Sequence, residues 1–217
     1  MTTPSSAPAT INMPRSLFLL SIFYGGMVCI AGVLGNKQVA IGPLAVEAGI
    51  FAFLLLVAVS SAVAELHGRS VANRLVQFGF IPLVTSIVLL LVVLAVPPSE
   101  SMEPERLAAF DLMMRATPRI WGAGILAYGI SQTLNVTIFD WLKRGQGKLL
   151  WLRAAIASVL SQIVDTLIFI SVAFYGVFPI GELVVGQMLA KVVLSIVLVP
   201  PLIYAFVGLG RWLDRVR

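Results

Sequence analysis

Charge is scarce in this chain: Asp, Glu, Lys and Arg make up 12% of its 217 residues, about half the share found in soluble domains. With 59% of the sequence hydrophobic, that scarcity excludes a water-soluble globule and leaves an integral membrane protein. Cysteine occurs once, at Cys29, which excludes an internal disulfide and any cysteine-built metal cluster, and leaves a small packing residue. Histidine also occurs once, at His67 on the edge of an apolar run. A membrane serine protease needs a histidine at helix depth beside its nucleophile, and none is there. Gly-x-Ser-x-Gly, His-Glu-x-x-His and Gly-x-x-x-x-Gly-Lys are all absent, so the chain reads as neither a hydrolase nor an ATPase and implies no cofactor or metal. The net charge of +5 is spread over loops and not gathered into a basic face with aromatic platforms, so no nucleic-acid partner is expected.

What is abundant is apolar sequence in runs of bilayer length. A span needs about 20 residues, and six fit: 16–35, 48–66, 75–96, 120–141, 152–176 and 182–208. The expectation is an all-α membrane protein, a six-helix transmembrane bundle in one domain over 15–210. It is preceded by a polar, proline-containing and disordered tail at 1–14 and followed by a basic cytoplasmic tail at 211–217. The first span is rich in glycine (Gly25, Gly26, Gly32, Gly35), which allows close helix contacts in lipid and leaves homodimerisation open. It lacks a strong basic lead-in and continues past Cys29-Ile30-Ala31, so signal cleavage is not expected. Residues 101–116 mix Glu103, Glu105, Arg106, Asp111 and Arg115 with Leu107, Phe110, Leu112 and Met113. That mixture fits an amphipathic helix at the interface. Pro200-Pro201 should bend or unwind the sixth span.

Six spans put both termini on one side. That side carries Arg15, Arg69, Arg74, Lys143, Arg144, Lys148, Arg153, Arg211, Arg215 and Arg217, against Lys37, Arg106, Arg115 and Arg119 on the other. The positive-inside rule places both termini in the cytoplasm.

Within the spans, polar residues are few and concentrated. Asp165 lies near the middle of the fifth, and an ionisable group there costs roughly 2.5–3.5 kcal/mol on insertion scales, which marks it as functional. Helical spacing places Ser158, Gln162, Asp165, Thr166 and Phe169 on one face. Lys191 in the sixth span sits within about one turn of the same depth, and a short connection makes the two helices antiparallel neighbours. A direct or water-bridged pair follows, because each charge would otherwise be uncompensated. Gln187 and Lys191 share a face at i,i+4, as do Gln132 and Asn135 at i,i+3. Phe169 and Phe139 are aromatic candidates beside them. Glu65 lies near the cytoplasmic end of the second span, where it can also simply reach water. The plainer reading is a structural ion pair with hydroxyls acting as interhelical glue.

The pieces Ser161-Gln162-Ile163-Val164-Asp165-Thr166-Leu167-Ile168-Phe169, Lys191 with Ser195, Gln132 through Phe139, Asn36, and Glu65-Leu66-His67-Gly68 with Ala72 occur in an order that resembles the VUT/YhhQ family of queuosine precursor transporters. The resemblance covers nearly all six spans. Many members of that family carry an acidic residue where Ser61 stands, an aromatic at His67 and an aspartate at Asn135. It implies a multi-pass protein of the bacterial inner membrane that imports 7-cyano-7-deazaguanine (preQ0) or 7-aminomethyl-7-deazaguanine (preQ1) for queuosine modification of transfer RNA. It implies substrate contacts from Asp165, Gln162, Lys191, Gln187, Gln132, Asn135, Phe169, Phe139, Asn36 and Glu65. A guanine-like edge offers an N–H and an amino group side by side, which one carboxylate accepts bidentately. The alternatives are a vitamin- or nucleobase-binding subunit that needs an ATP-driven partner, as in energy-coupling-factor transporters, and a structural membrane protein that binds nothing.

Overall fold

The computed structural model describes residues 13–144, 150–177 and 179–215. Its elements are α1 (Arg15–Leu34), β1 (Gln38–Ile41), β2 (Leu44–Glu47), α2 (Gly49–His67), α3 (Arg69–Ala95), α4 (Pro104–Met114), α5 (Thr117–Arg144), α6 (Leu150–Phe174), α7 (Ile180–Val197) and α8 (Val199–Arg215). Among the described residues the regular structure is all helical apart from one small hairpin. Among the described residues α1, α2, α3 and α7 are long and apolar enough to cross a bilayer, and Val159–Phe174 of α6 is a shorter apolar stretch. α3 shows why lipid is required: Phe78, Ile81, Val88, Leu89 and Val92 all lie exposed on it.

The sequence reading has no hairpin between its first two spans, yet β1 and β2 pair antiparallel there, Gln38 opposite Glu47 and Ile41 opposite Leu44. The turn is Gly42-Pro43. Gly42 has φ +59, which glycine alone adopts without strain, and proline then supplies the negative φ of a type II′ turn. β2 lies against α7, and Gly186 is what lets it: a methyl there would run into the Ala45 carbonyl. The expected sixth span is divided. α7 ends at Val197 and α8 begins at Val199, because Pro200 and Pro201 bring no N–H and are tolerated only in a first helical turn.

Three clusters form the interior. Leu20, Tyr24, Val59, Val63, Leu75 and Trp121 join α1, α2, α3 and α5. Ile120, Ala123, Ile170, Phe174 and Leu183 join α5, α6 and α7. Val46, Ile50, Leu54, Ala190 and Val199 join the hairpin to α2, α7 and α8. Packing of Ile120 near Phe174, together with a bond from Ser131 to Asp165, shows α5 and α6 to be antiparallel. Arg119 fixes that end by donating to the Val172 and Tyr175 carbonyls at 2.7 and 2.8 Å, a cation on the last turn of α6.

The opposite end is closed by a three-helix clamp. Pro14 supplies no side-chain cap to α1. Instead Asp214 of α8 accepts from the Ser16 N–H at 3.0 Å and from its hydroxyl at 2.6 Å. The hydroxyl proton is thereby used, so Ser16 Oγ accepts from His67 Nε2 of α2 at 2.8 Å. His67 is half-buried in this clamp. Asp214→Ala removes a cap for α1 and should lower stability by about 1 kcal/mol. Thermal unfolding in detergent checks this, and an unchanged midpoint would show the clamp to be incidental.

Candidate functional site

Five buried polar residues, Glu47, Ser131, Asp165, Gln187 and Lys191, gather where α2, α5, α6, α7 and the hairpin meet. α6 is held antiparallel to α7, with Ile170 and Ala173 beside Leu183, and this register brings Asp165 level with Lys191. Their contact is direct: Lys191 Nζ lies 2.7 Å from Asp165 Oδ2, with both side chains over nine-tenths buried. Ser131 donates to the other oxygen, Oδ1, at 3.1 Å. The ammonium also stands 4.5 Å from the centre of the Phe53 ring, a cation–π contact that helps to compensate for lost water.

One turn earlier on α7, Gln187 faces the hairpin. The Glu47 N–H donates to Gln187 Oε1 at 2.9 Å, which sets the amide's orientation, and Gln187 Nε2 donates to Glu47 Oε2 at 3.2 Å. Glu47 Oε1 accepts from the Gly49 N–H at 2.6 Å. Glu47 is only 3% exposed. It lies on the hairpin, outside the spanning helices, and burial pushes its carboxyl up to about 7 against the lowering influence of the Gly49 N–H, Lys191 and Gln187.

These groups line a cavity of about 120 Å³, together with the rings of Tyr24, Phe53, Trp121 and Phe169. That is room for a small molecule, not a lone water. Trp121 is held in the wall by donating Nε1–H to the Cys29 carbonyl at 3.1 Å. A second cavity of about 260 Å³ lies toward the clamped end and is more polar in its lining, with Ser60, Ser61, Asn73, Ser161 and Gln162. Phe53, Val76, Tyr128 and Asp165 border both.

The site residues expected from the sequence separate into groups. Asp165, Lys191, Gln187 and Phe169 come together on the first cavity. Gln162 is on the second, where its Oε1 accepts from Ser195 at 3.4 Å. Asn36 is elsewhere: its amide donates to Thr117 Oγ1 at 2.8 Å and to the Gly32 and Val33 carbonyls at 3.3 Å, tying the end of α1 to α5. Glu65 is exposed at the far end of α2, 3.9 Å from Arg211, and borders neither cavity. The side chains of Gln132, Asn135, Phe139 and Ser158 lie outside the described residues.

Sequence reasoning missed Glu47. An acid one step before an apolar helix reads as solvated, and only the fold-back of the hairpin onto α7 buries it. The signal was present in two short alternating runs, Val39/Ile41 and Leu44/Val46, around Gly42-Pro43.

The model of a family described as "Putative vitamin uptake transporter" matches residues 47–205, or 159 of the 217. The chain belongs to this family. The matched stretch begins at Glu47 and includes Asp165, Gln187 and Lys191, so all four buried polar residues of the first cavity lie within the vitamin uptake transporter homology. A protein of Bacillus subtilis (strain 168) named "Probable queuosine precursor transporter" is 30% identical over 141 residues. That alignment covers 63% of this chain and 61% of the other, so the chain's match spans about three fifths of its relative's length. No solved structure matches the chain. As a member of this family with several apolar helices, the chain is a multi-pass membrane protein.

Proposed function

We propose that the chain imports queuosine precursors, 7-cyano-7-deazaguanine or 7-aminomethyl-7-deazaguanine, across the bacterial inner membrane for modification of transfer RNA. The observation that carries this reading is a buried cavity combining carboxylate, ammonium and amide groups with aromatic rings. A flat base with donors along one edge and a carbonyl beside them calls for such a set. Asp165 accepts from the guanine-like N–H and amino group, Lys191 or Gln187 donates to the carbonyl, and Phe53, Trp121 or Phe169 stacks on the ring plane. The B. subtilis relative's name supports the substrate class.

In this reading there are six crossings with both termini in the cytoplasm, α7 and α8 together forming the last. The two cavities then lie along one path. Asp165 borders both, with Phe53, Val76 and Tyr128 around it, at the midplane position where transporters hold substrate during alternating access. A homodimer is compatible with this arrangement.

The test is queuosine in transfer RNA from bacteria that cannot make the precursors and lack their own importer, expressing this chain and fed limiting amounts of either base. Restoration is the expected result. If verified membrane expression restores nothing and the purified protein binds neither base, the reading fails. Binding without restoration would instead point to a subunit that needs an ATP-driven partner.

A further inference from the structure

The first cavity holds an unbalanced charge. Among the described residues its titratable lining consists of Tyr24 from α1, Glu47 from the hairpin, Tyr128 from α5, Asp165 from α6 and Lys191 from α7. Two carboxylates therefore face one ammonium. Lys191 is committed to Asp165 at 2.7 Å. Among the described residues the Glu47 carboxylate has only neutral hydrogen-bond partners, the Gly49 N–H and the Gln187 amide, with Lys191 acting on it through space. Gly35, capping α1, and Gly49, opening α2, pack against the carboxylate and bring no charge to it. The carboxylate has acceptor capacity left, since each oxygen receives one bond of the roughly two it can take. A buried carboxylate without a cation is uncomfortable in its ionised form, so the cavity is short of one positive charge.

We propose that Glu47 receives a positively charged arm of the ligand, so that the cavity prefers an amine-bearing deazaguanine to its neutral nitrile counterpart. The inference rests on the deazaguanine reading above and deepens it. The aminomethyl group of preQ1 is an alkylammonium at neutral pH, while the cyano group of preQ0 carries no charge. With Asp165 at the guanine-like edge, the ammonium of preQ1 reaches Glu47 across the ring system and completes the charge balance. In the empty cavity a proton takes that place for part of the time, which agrees with a Glu47 carboxyl pushed up to about 7.

The sign of the pH effect follows. Ammonium binding needs ionised Glu47, so binding releases a proton below about 7 and affinity falls as the solution is acidified. At the limit of one proton per ligand the fall is about tenfold per pH unit. A neutral nitrile shows no such slope.

The experiment is calorimetric binding of preQ1 and preQ0 to the full chain in lipid nanodiscs, wild type and Glu47→Gln. The expected result is at least about tenfold tighter binding of preQ1 by the wild type, the scale of one charge-assisted bond in a dry site. Glu47→Gln removes that preference, costing preQ1 several-fold more affinity than preQ0. Equal affinities in the wild type, a preference for preQ0, or a preference that survives Glu47→Gln would overturn the proposal. So would an equal loss for both bases, which would place Glu47 at the shared guanine-like edge. If Glu47→Gln does not fold, the wild type alone decides: preQ1 affinity weakening several-fold from pH 7 to 6 while preQ0 stays flat supports the proposal, and identical slopes overturn it. If the folded wild type binds neither base, the deazaguanine reading fails and this inference falls with it.

Discussion

Asp165→Asn should abolish the proposed uptake while the protein still inserts in the membrane. The substitution preserves size and one carbonyl oxygen, but an amide cannot accept both donors of a guanine-like edge and cannot neutralise Lys191. The ammonium is left 4% exposed without its 2.7 Å partner, and breaking a buried pair in this way is destabilising by roughly 3–5 kcal/mol in soluble proteins. Loss of uptake in the single variant therefore mixes loss of the site with loss of stability. The double variant Asp165→Asn with Lys191→Met separates them. Neutralising both partners removes the stranded charge, so the unfolding temperature should return most of the way toward wild type while uptake stays absent. A structural ion pair makes the opposite forecast, with stability and transport recovering together. Uptake by the double variant at half the wild-type rate or more would remove both residues from the substrate site.

A single methyl group at Gly32 should damage the protein nearly as much. The Trp121 ring lies against the Gly32 Cα, where an alanine Cβ would overlap it. The indole cannot swing aside without losing its bond to the Cys29 carbonyl, and it is packed in the cluster that joins α1, α2, α3 and α5. Overpacking of this kind costs about 1–3 kcal/mol. Because Trp121 also lines the first cavity, ligand affinity should fall together with the unfolding temperature. Trp121→Phe in the same chain provides the control. The smaller ring vacates the space, so the cost of Gly32→Ala should shrink by about 1 kcal/mol or more in a double-mutant cycle. A Gly32→Ala variant within about 0.5 kcal/mol of wild type, a usual surface-substitution effect, would show that α1 and α5 do not approach as closely as described.

Much of the architecture was legible along the chain because lipid enforces it. A backbone in hydrocarbon must satisfy its own hydrogen bonds, so long apolar runs such as Ser16 to Gly35 and Leu75 to Val96 have little choice but helix. The same solvent makes a mid-span acid conspicuous, which is why Asp165 stood out and why its neighbour in depth, Lys191, could be paired with it. Helical spacing put Gln187 on the face of Lys191, where it is found. Residues at the ends of runs were less readable. Asn36 and Glu65 were polar positions next to apolar sequence, and nothing local distinguishes a cap or a surface ion pair from a ligand contact.

The sequence by itself determined a membrane-embedded helical protein with one buried acid and one buried base at matching depth, because insertion energy and helical pitch act locally. Only the tertiary structure decided that the connection after α1 is a hairpin folded onto α7, that Glu47 is buried beside Gln187, and that Trp121 and Phe53 close around the same space. Those placements depend on contacts between residues far apart in sequence: Glu47 with Gln187, Trp121 with Cys29, Phe53 with Lys191. They are set by how closely Gly32 lets the Trp121 ring approach α1 and Gly186 lets the β2 backbone approach α7, a property of pairs of elements that neither element carries alone.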